Sequence, residues 1–176
     1  ADLVALGRAL VADPEWPKKA RAGQADKIWP CVGCMACQLP TAEPGIGCAI
    51  NAQSGHEAEL RITAAPKVRR VAIWGAGLAG LEAARVAALR GHEVVIYADG
   101  WPLGGLLALR SIVPGLAEMG RAVLTYASVL KSLGVPLVDG TPDTADVILD
   151  ARPGPEERPD WAGGEVIWMA SDILKS

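Results

Sequence analysis

The apolar positions of the chain fall into two regimes. Residues 2–6 (Asp2-Leu3-Val4-Ala5-Leu6) are a short apolar run closed by Gly7-Arg8, the pattern of a buried parallel strand. Residues 14–22 start at Pro14 and carry Lys18, Lys19 and Arg21, which predicts a short helix with proline in its first turn. From Asp26 to Gly55 neither a helical nor a strand period survives, and the stretch is rich in Gly, Pro and Cys. A structureless segment of that length inside a compact protein calls for an external organiser.

Beyond it the periodicity returns. Arg69 to Trp74 reads as a strand, Gly75-Ala76-Gly77-Leu78-Ala79-Gly80 as a tight turn, Leu81 to Arg90 as an Ala-rich helix closed by Gly91, and Glu93 to Tyr97 as a second strand. This is one βαβ unit. Gly100 to Gly105 reads as a loop, and Leu116 to Leu133 has helical spacing and stops at Gly134. Val135–Val138 and Val147–Leu149 are short strand candidates. A Pro- and Gly-rich tail over 152–164 precedes a last strand candidate at 166–168 and a helical turn at 171–175. The predicted class is α/β with a parallel sheet.

Composition changes the picture in one respect. The 176 residues are 51% hydrophobic, enough for a packed core, and the net charge of −3 lacks the basic field of a nucleic-acid surface. No apolar run reaches membrane-spanning length and no secretory leader is visible, so the expectation is a cytoplasmic protein with neither nucleic acid nor membrane as partner. The informative count is four cysteines, all between Cys31 and Cys48. Outside a secretory setting, such clustering points to metal or redox chemistry rather than a disulfide framework.

The spacing is Cys31-x2-Cys34-x2-Cys37, then ten residues, then Cys48. Three crowded thiolates can wrap one face of a [4Fe–4S] cubane and a fourth can close it, with Gly33, Gly45 and Gly47 letting backbone N–H groups approach the sulfurs. Zinc is the other reading, although four-cysteine zinc sites usually show two separated CxxC pairs.

The turn at 75–80 is a GxGxxG motif between a strand and a helix, the context that gives it meaning. Gly75 permits the tight turn, Gly77 lets backbone approach a pyrophosphate, and Gly80 allows close helix–strand packing. The N–H groups of Leu78 and Ala79 then face the phosphates. Asp99, just past the second strand, is the candidate for the ribose hydroxyls if the chain has left the strand there. Gly104-Gly105 offers a second close backbone approach. His56 and His92 present no catalytic case, and the six tryptophans read as core or interface rather than as stacking platforms.

Together these residues resemble the iron–sulfur branch of the Old Yellow Enzyme relatives, the trimethylamine dehydrogenase and 2,4-dienoyl-CoA reductase group of NADH:flavin oxidoreductases. The resemblance is carried by Leu6-Gly7-Arg8-Ala9-Leu10, Ala12-Asp13-Pro14, Pro30-Cys31-Val32-Gly33-Cys34-Met35-Ala36-Cys37, Cys48, Asn51 and Gly55. It continues from Val71 through Gly77 and Gly80 to Arg90-Gly91-His92-Glu93-Val94 and Leu103-Gly104-Gly105. It implies an FMN-binding (β/α)8 barrel ending at residues 1–25, a cluster loop at 26–64, and the first half of a Rossmann-like FAD- or ADP-binding domain at 65–176. An NAD(P)H domain would follow.

Gly7 and Arg8 would then contact the FMN phosphate. The substrate would be a small molecule held by the barrel, and an electron-transfer protein or a second copy of the chain would be the partner. The implied function is single-electron relay within a flavin-dependent oxidoreductase. A separate small electron-carrier subunit, or a non-functional remnant, are the readings from other classes. Three departures stand out: Ala98 in place of a ribose-binding glutamate, Asp150-Ala151-Arg152 in place of an Ala-Thr-Gly motif, and Leu106 in place of a glutamine after the glycine pair.

Overall fold

In a computed structural model, the described residues are 2–39 and 46–154. The strand and helical turn expected beyond residue 164 lie outside them, as does Gly45. A four-stranded, all-parallel sheet forms the centre, made of β1 (Arg70–Trp74), β2 (Glu93–Tyr97), β3 (Leu137–Val138) and β4 (Val147–Asp150) in the order β3-β2-β1-β4. That order opens the doubly wound series 3-2-1-4-5-6.

Before the sheet stand two short helices, α1 (Arg8–Ala12) and α2 (Trp16–Arg21). α3 (Leu78–Leu89) joins β1 to β2, and α4 (Leu106–Arg110) and α5 (Glu118–Ser132) lie between β2 and β3. Register puts Val71 and Ile73 beside Val94 and Ile96 on one face. These four pack with Leu81, Ala84 and Ala87 of α3 and Tyr126 and Leu130 of α5. Each large apolar side chain buried there contributes about 1.5–3 kcal/mol.

Glycine sets the helix ends. Past α3, His92 N–H bonds Ala87 O and Gly91 N–H bonds Ala88 O, with Gly91 at φ +90°. Past α5, Val135 N–H bonds Leu130 O and Gly134 N–H bonds Lys131 O, with Gly134 at φ +71°. Both are paired 6→1 and 5→2 closures around a left-handed residue, which satisfy the last free carbonyls and turn the chain into the next strand. His92 ends as a surface acceptor, its Nδ1 taking the Arg69 N–H at 3.2 Å.

Several elements differ from the sequence expectation. Residues 2–6 form no strand, and Leu3 is 92% exposed. A lone apolar run cannot become a parallel strand without neighbouring strands to take its backbone groups, and none stands beside it among the described residues. The α4 turn was not expected, because Leu106-Leu107-Ala108-Leu109 follows two glycines and is too short to show a period. The proline helix starts two residues later than predicted, with Pro17 in its first turn. α3 starts three residues earlier, directly at Leu78.

The sharpest packing lies at Gly80. A Cβ there would collide with the Gly75 carbonyl oxygen and press on Ile73 Cγ2 at 3.3 Å. Gly77, by contrast, has ordinary backbone angles (φ −72°, ψ 177°), and a Cβ on it would meet nothing within 4 Å. Gly80→Ala should therefore destabilise the full-length protein by about 1–3 kcal/mol in urea unfolding. Gly77→Ala should stay within about 0.5 kcal/mol of wild type. Equal losses in the two variants would contradict this division.

Candidate functional site

The cleft sits at the carboxyl ends of β1, β2 and β4, where ligands bind in open parallel sheets. It encloses about 390 Å3. Its walls are the turn Gly75–Ala79, Ala98 and Trp101 beyond β2, Gly104–Leu107 with Arg110, and Ala151–Pro153 beyond β4. Three backbones converge here. Gly75 (φ +117°) runs so close to β4 that a Cβ would lie 2.7 Å from the Ala151 carbonyl. Gly104 N–H bonds Ala76 O at 2.8 Å, and a Cβ on Gly105 would stand 3.2 Å from Gly77 Cα. The glycine pair is thus the floor against which the nucleotide-type turn rests. Leu106, in the position where the resemblance expects glutamine, is a cleft-lining residue.

Asp99 has left the strand, at φ +52°, one residue after Ala98 N–H bonds Val138 O. It does not line the main cleft. It borders an adjoining hollow with Trp101, Asp150, Arg152, Pro153 and Gly154. Arg152, with Trp101 and Pro153, lines both spaces. Its guanidinium lies over the Trp74 ring, 3.4 Å from the centroid. It also grips Asp150 at two points, Nε to Oδ1 at 2.9 Å and Nη2 to Oδ2 at 2.7 Å. Trp74 gives one face to this chain's own arginine. Its Nε1 is also buried without a hydrogen-bond partner among the described residues. The Arg152 side chain, then its backbone N–H, hold the Asp150 carboxyl down to about 2.

The cysteine loop is anchored from both sides. Asp13, 1% exposed, accepts from Lys19 Nζ at 2.7 Å, Glu15 N–H at 3.0 Å and Trp29 N–H at 2.9 Å. Asn51 Nδ2 donates to Val11 O at 2.9 Å. Trp29 stacks on Tyr126 of α5 with ring centroids 4.5 Å apart. The Tyr126 hydroxyl donates to Glu82 at 3.1 Å, and Glu82 pairs with Arg85 at 2.7 Å. Burial first, then the Glu82 carboxylate, push the Tyr126 phenol far above its usual range, so it remains a donor. Glu82 was not singled out from sequence, and Asp13 was named only among the residues that carry the resemblance, with no anchoring role given to it. The Glu82-x2-Arg85 helical spacing was the only local signal for the first.

All four cysteines are free thiols, Cys34 exposed and the others partly buried. Between Cys31 and Cys37 the backbone turns left-handed twice, at Gly33 (φ +69°) and at Met35 (φ +61°). For methionine that conformation costs about 1–3 kcal/mol. Arg8 Nη1 reaches Met35 Sδ at 3.0 Å, and Gly7 and Arg8 share a hollow with Cys31, Val32 and Gly33. Cys48 packs with Trp29, Leu78, Leu107 and Met119 on the buried cluster Val32, Ile50 and Ala122. The cysteine loop and the glycine turn therefore share one apolar wall. Among the described residues no three potential metal ligands close on a single ion. The donor set, four soft thiols and no carboxylate, suits an iron–sulfur cluster and zinc alike.

No family model matches the chain. It is 38% identical over 154 residues to a bilirubin reductase of Mediterraneibacter gnavus, covering 86% of this chain and 24% of that protein. It is 39% identical over 154 residues to a metal reductase of Desulforamulus reducens, covering 86% and 23%. Among solved structures it superposes on histamine dehydrogenase from Rhizobium sp. 4-9 with a TM-score of 0.81 and 26% identity, over 99% of this chain and 30% of that one. The chain thus spans about a quarter of the length of the curated relatives it matches. No helix among the described residues is long and apolar enough to cross a membrane.

The Asp150–Arg152 clamp gives a pH signature. A carboxyl whose pKa is depressed on folding contributes stability above its unfolded value, about 3.9, and loses it as pH falls through the folded value. Carboxyl-detected NMR should place the Asp150 midpoint near 2, and Arg152→Gln should return it toward the ordinary range. A midpoint near 4 in the wild type would mean that the clamp is absent in solution.

Proposed function

Because the chain belongs to the Old Yellow Enzyme-related flavin oxidoreductases, we propose that it is the electron-transfer segment of a larger FMN- and iron–sulfur-dependent enzyme. In this reading residues 1–25 close a flavin barrel, 26–64 hold a [4Fe–4S] cluster, and 65–176 begin a Rossmann-like domain for FAD or ADP. A separate domain takes NAD(P)H, and the barrel takes the small-molecule substrate. The observation that carries the proposal is the shared wall, in which Cys48 and Leu78 of the glycine turn pack on the same buried residues. A redox group held by the cysteines and a nucleotide held by the turn would then be neighbours.

When bound, the cluster supplies one-electron steps that a flavin's two-electron chemistry can be divided into. The chain's own residues fix position. Cys31, Cys34, Cys37 and Cys48 are the ligands. Gly33 and the strained Met35 bend the loop so that backbone N–H groups can turn toward the sulfurs, the kind of contact that tunes a potential. Asp13 and Asn51 tie that loop to the barrel-end segment, where Gly7 and Arg8 are placed to reach the FMN phosphate. Trp29, Tyr126 and Glu82 tie it to the sheet domain. Gly75, Gly77, Leu78, Ala79 and Gly80 shape the pyrophosphate turn, and Gly104 and Gly105 support it from below. Asp99, out of the strand, borders the hollow beside the cleft rather than the cleft itself, and would meet a ribose hydroxyl only from there.

Anaerobically purified full-length protein should be brown, contain iron and acid-labile sulfide, and bleach with dithionite. Cys34 is exposed, so Cys34→Ala removes a ligand without opening the core. It should abolish the chromophore and raise protease sensitivity around residues 26–55, a loop with little apolar core of its own. Colourless protein with stoichiometric zinc and no iron after anaerobic reconstitution would overturn the cluster assignment.

A further inference from the structure

Arg152 is the second residue past β4 and stands where the strand ends meet the glycine turn. A Cβ on Gly75 would be 2.8 Å from the Arg152 backbone nitrogen, so the residue passes along the turn itself. Its side chain is already ordered, flat on the Trp74 indole and clamped at two points by Asp150. A guanidinium has five N–H donors. The clamp takes two, on the Nε–Nη2 edge, and leaves three for another acceptor. Asp150 itself borders only the adjoining hollow, while Arg152 borders both spaces.

The charge of the cleft points the same way. Of its lining residues, the charged ones are Arg110 and Arg152, both cationic, and no carboxylate is among them. The N-terminal turn of the 12-residue α3, at Leu78 and Ala79, lies in the same wall and adds the positive end of a helix dipole. A phosphorylated ligand gains from these groups what a cationic one does not. A planar fork held in place loses little further entropy on meeting phosphoryl oxygens.

We propose that Arg152 is a phosphate-binding residue of this cleft and that it contacts the pyrophosphate of the bound nucleotide. This rests on the nucleotide reading above and names the group that reading left without a side-chain partner. The same anionic chemistry has a second source, a phosphate on the ribose. Pyrophosphate is favoured because the Arg152 backbone adjoins Gly75 rather than Ala98.

Calorimetry on the full-length protein with ADP, 2′,5′-ADP and adenosine tests the assignment. Arg152→Gln should weaken ADP by about 10- to 100-fold, the worth of a charge-assisted contact, and leave adenosine unchanged. Arg152→Lys should recover part of the loss. Unchanged ADP affinity in Arg152→Gln overturns the proposal. So does a loss confined to 2′,5′-ADP, which would move the contact to the ribose, or an equal loss for adenosine, which would make the residue structural. Gly77→Ala separates the two levels of inference. If it loses ADP while Arg152→Gln does not, the nucleotide cleft stands and the arginine assignment falls. If neither variant alters ADP binding, or the wild type binds no ADP, both fall.

Discussion

The structure depends on backbone meeting backbone at the end of β1. Gly75 lies against Ala151 of the β4 exit, Gly80 against the Gly75 carbonyl, and Gly105 against Gly77. No side chain fits at the first two positions, so the strand, the helix and the glycine-pair loop can approach only because these residues lack a Cβ. That approach brings the amino end of α3, the β4 exit and the β2 exit to one opening. The cleft is a consequence of this crowding. Gly77, at its centre, faces open space, and the room left there is what a ligand could use.

A second constraint joins the cysteine loop to this domain. The loop buries little of its apolar content, its buried cluster among the described residues being Val32 and Ile50 with Ala122 of α5. Polar tethers do much of the holding. Asp13 is buried with an ammonium and two backbone N–H groups around it, which meets the rule that a buried charge must be paired. The Trp29–Tyr126–Glu82–Arg85 chain extends the anchoring into the core, with the Trp29 ring also 5.8 Å from the Arg85 guanidinium. These contacts link residues far apart in sequence, and they give the loop its position independent of any apolar core of its own.

The strands, the βαβ unit, the glycine turn and both helix ends were legible because each is written locally. Val71-Ala72-Ile73, Val94-Val95-Ile96 and the glycines at 91 and 134 carry their own geometric reasons. The strand expected at residues 2–6 was not formed, since strand formation is a property of neighbours rather than of an apolar run. The departure of Asp99 from the strand was foreseen as a condition, but its place outside the main cleft was not, because a single left-handed residue changes which space a side chain enters. Least legible was the Trp74–Asp150–Arg152 arrangement. Trp74 and Asp150 are side by side only through the β1–β4 register, a pairing across 76 positions that no local pattern announces.

That register gives the departures from the family pattern a common physical sense. An alanine at residue 98 removes an acceptor from the β2 side of the cleft. An arginine at residue 152 adds a donor on the β4 side, and Asp150 holds that donor without entering the cleft itself. Asp150 balances the arginine's charge, so the second change adds a directed donor to the opening rather than net charge. A site that has given up a ribose acceptor can keep its ligand by leaning on phosphate instead. The Trp74 platform makes this workable, because a guanidinium stacked on an indole and paired with a carboxylate is fixed in direction before any ligand arrives.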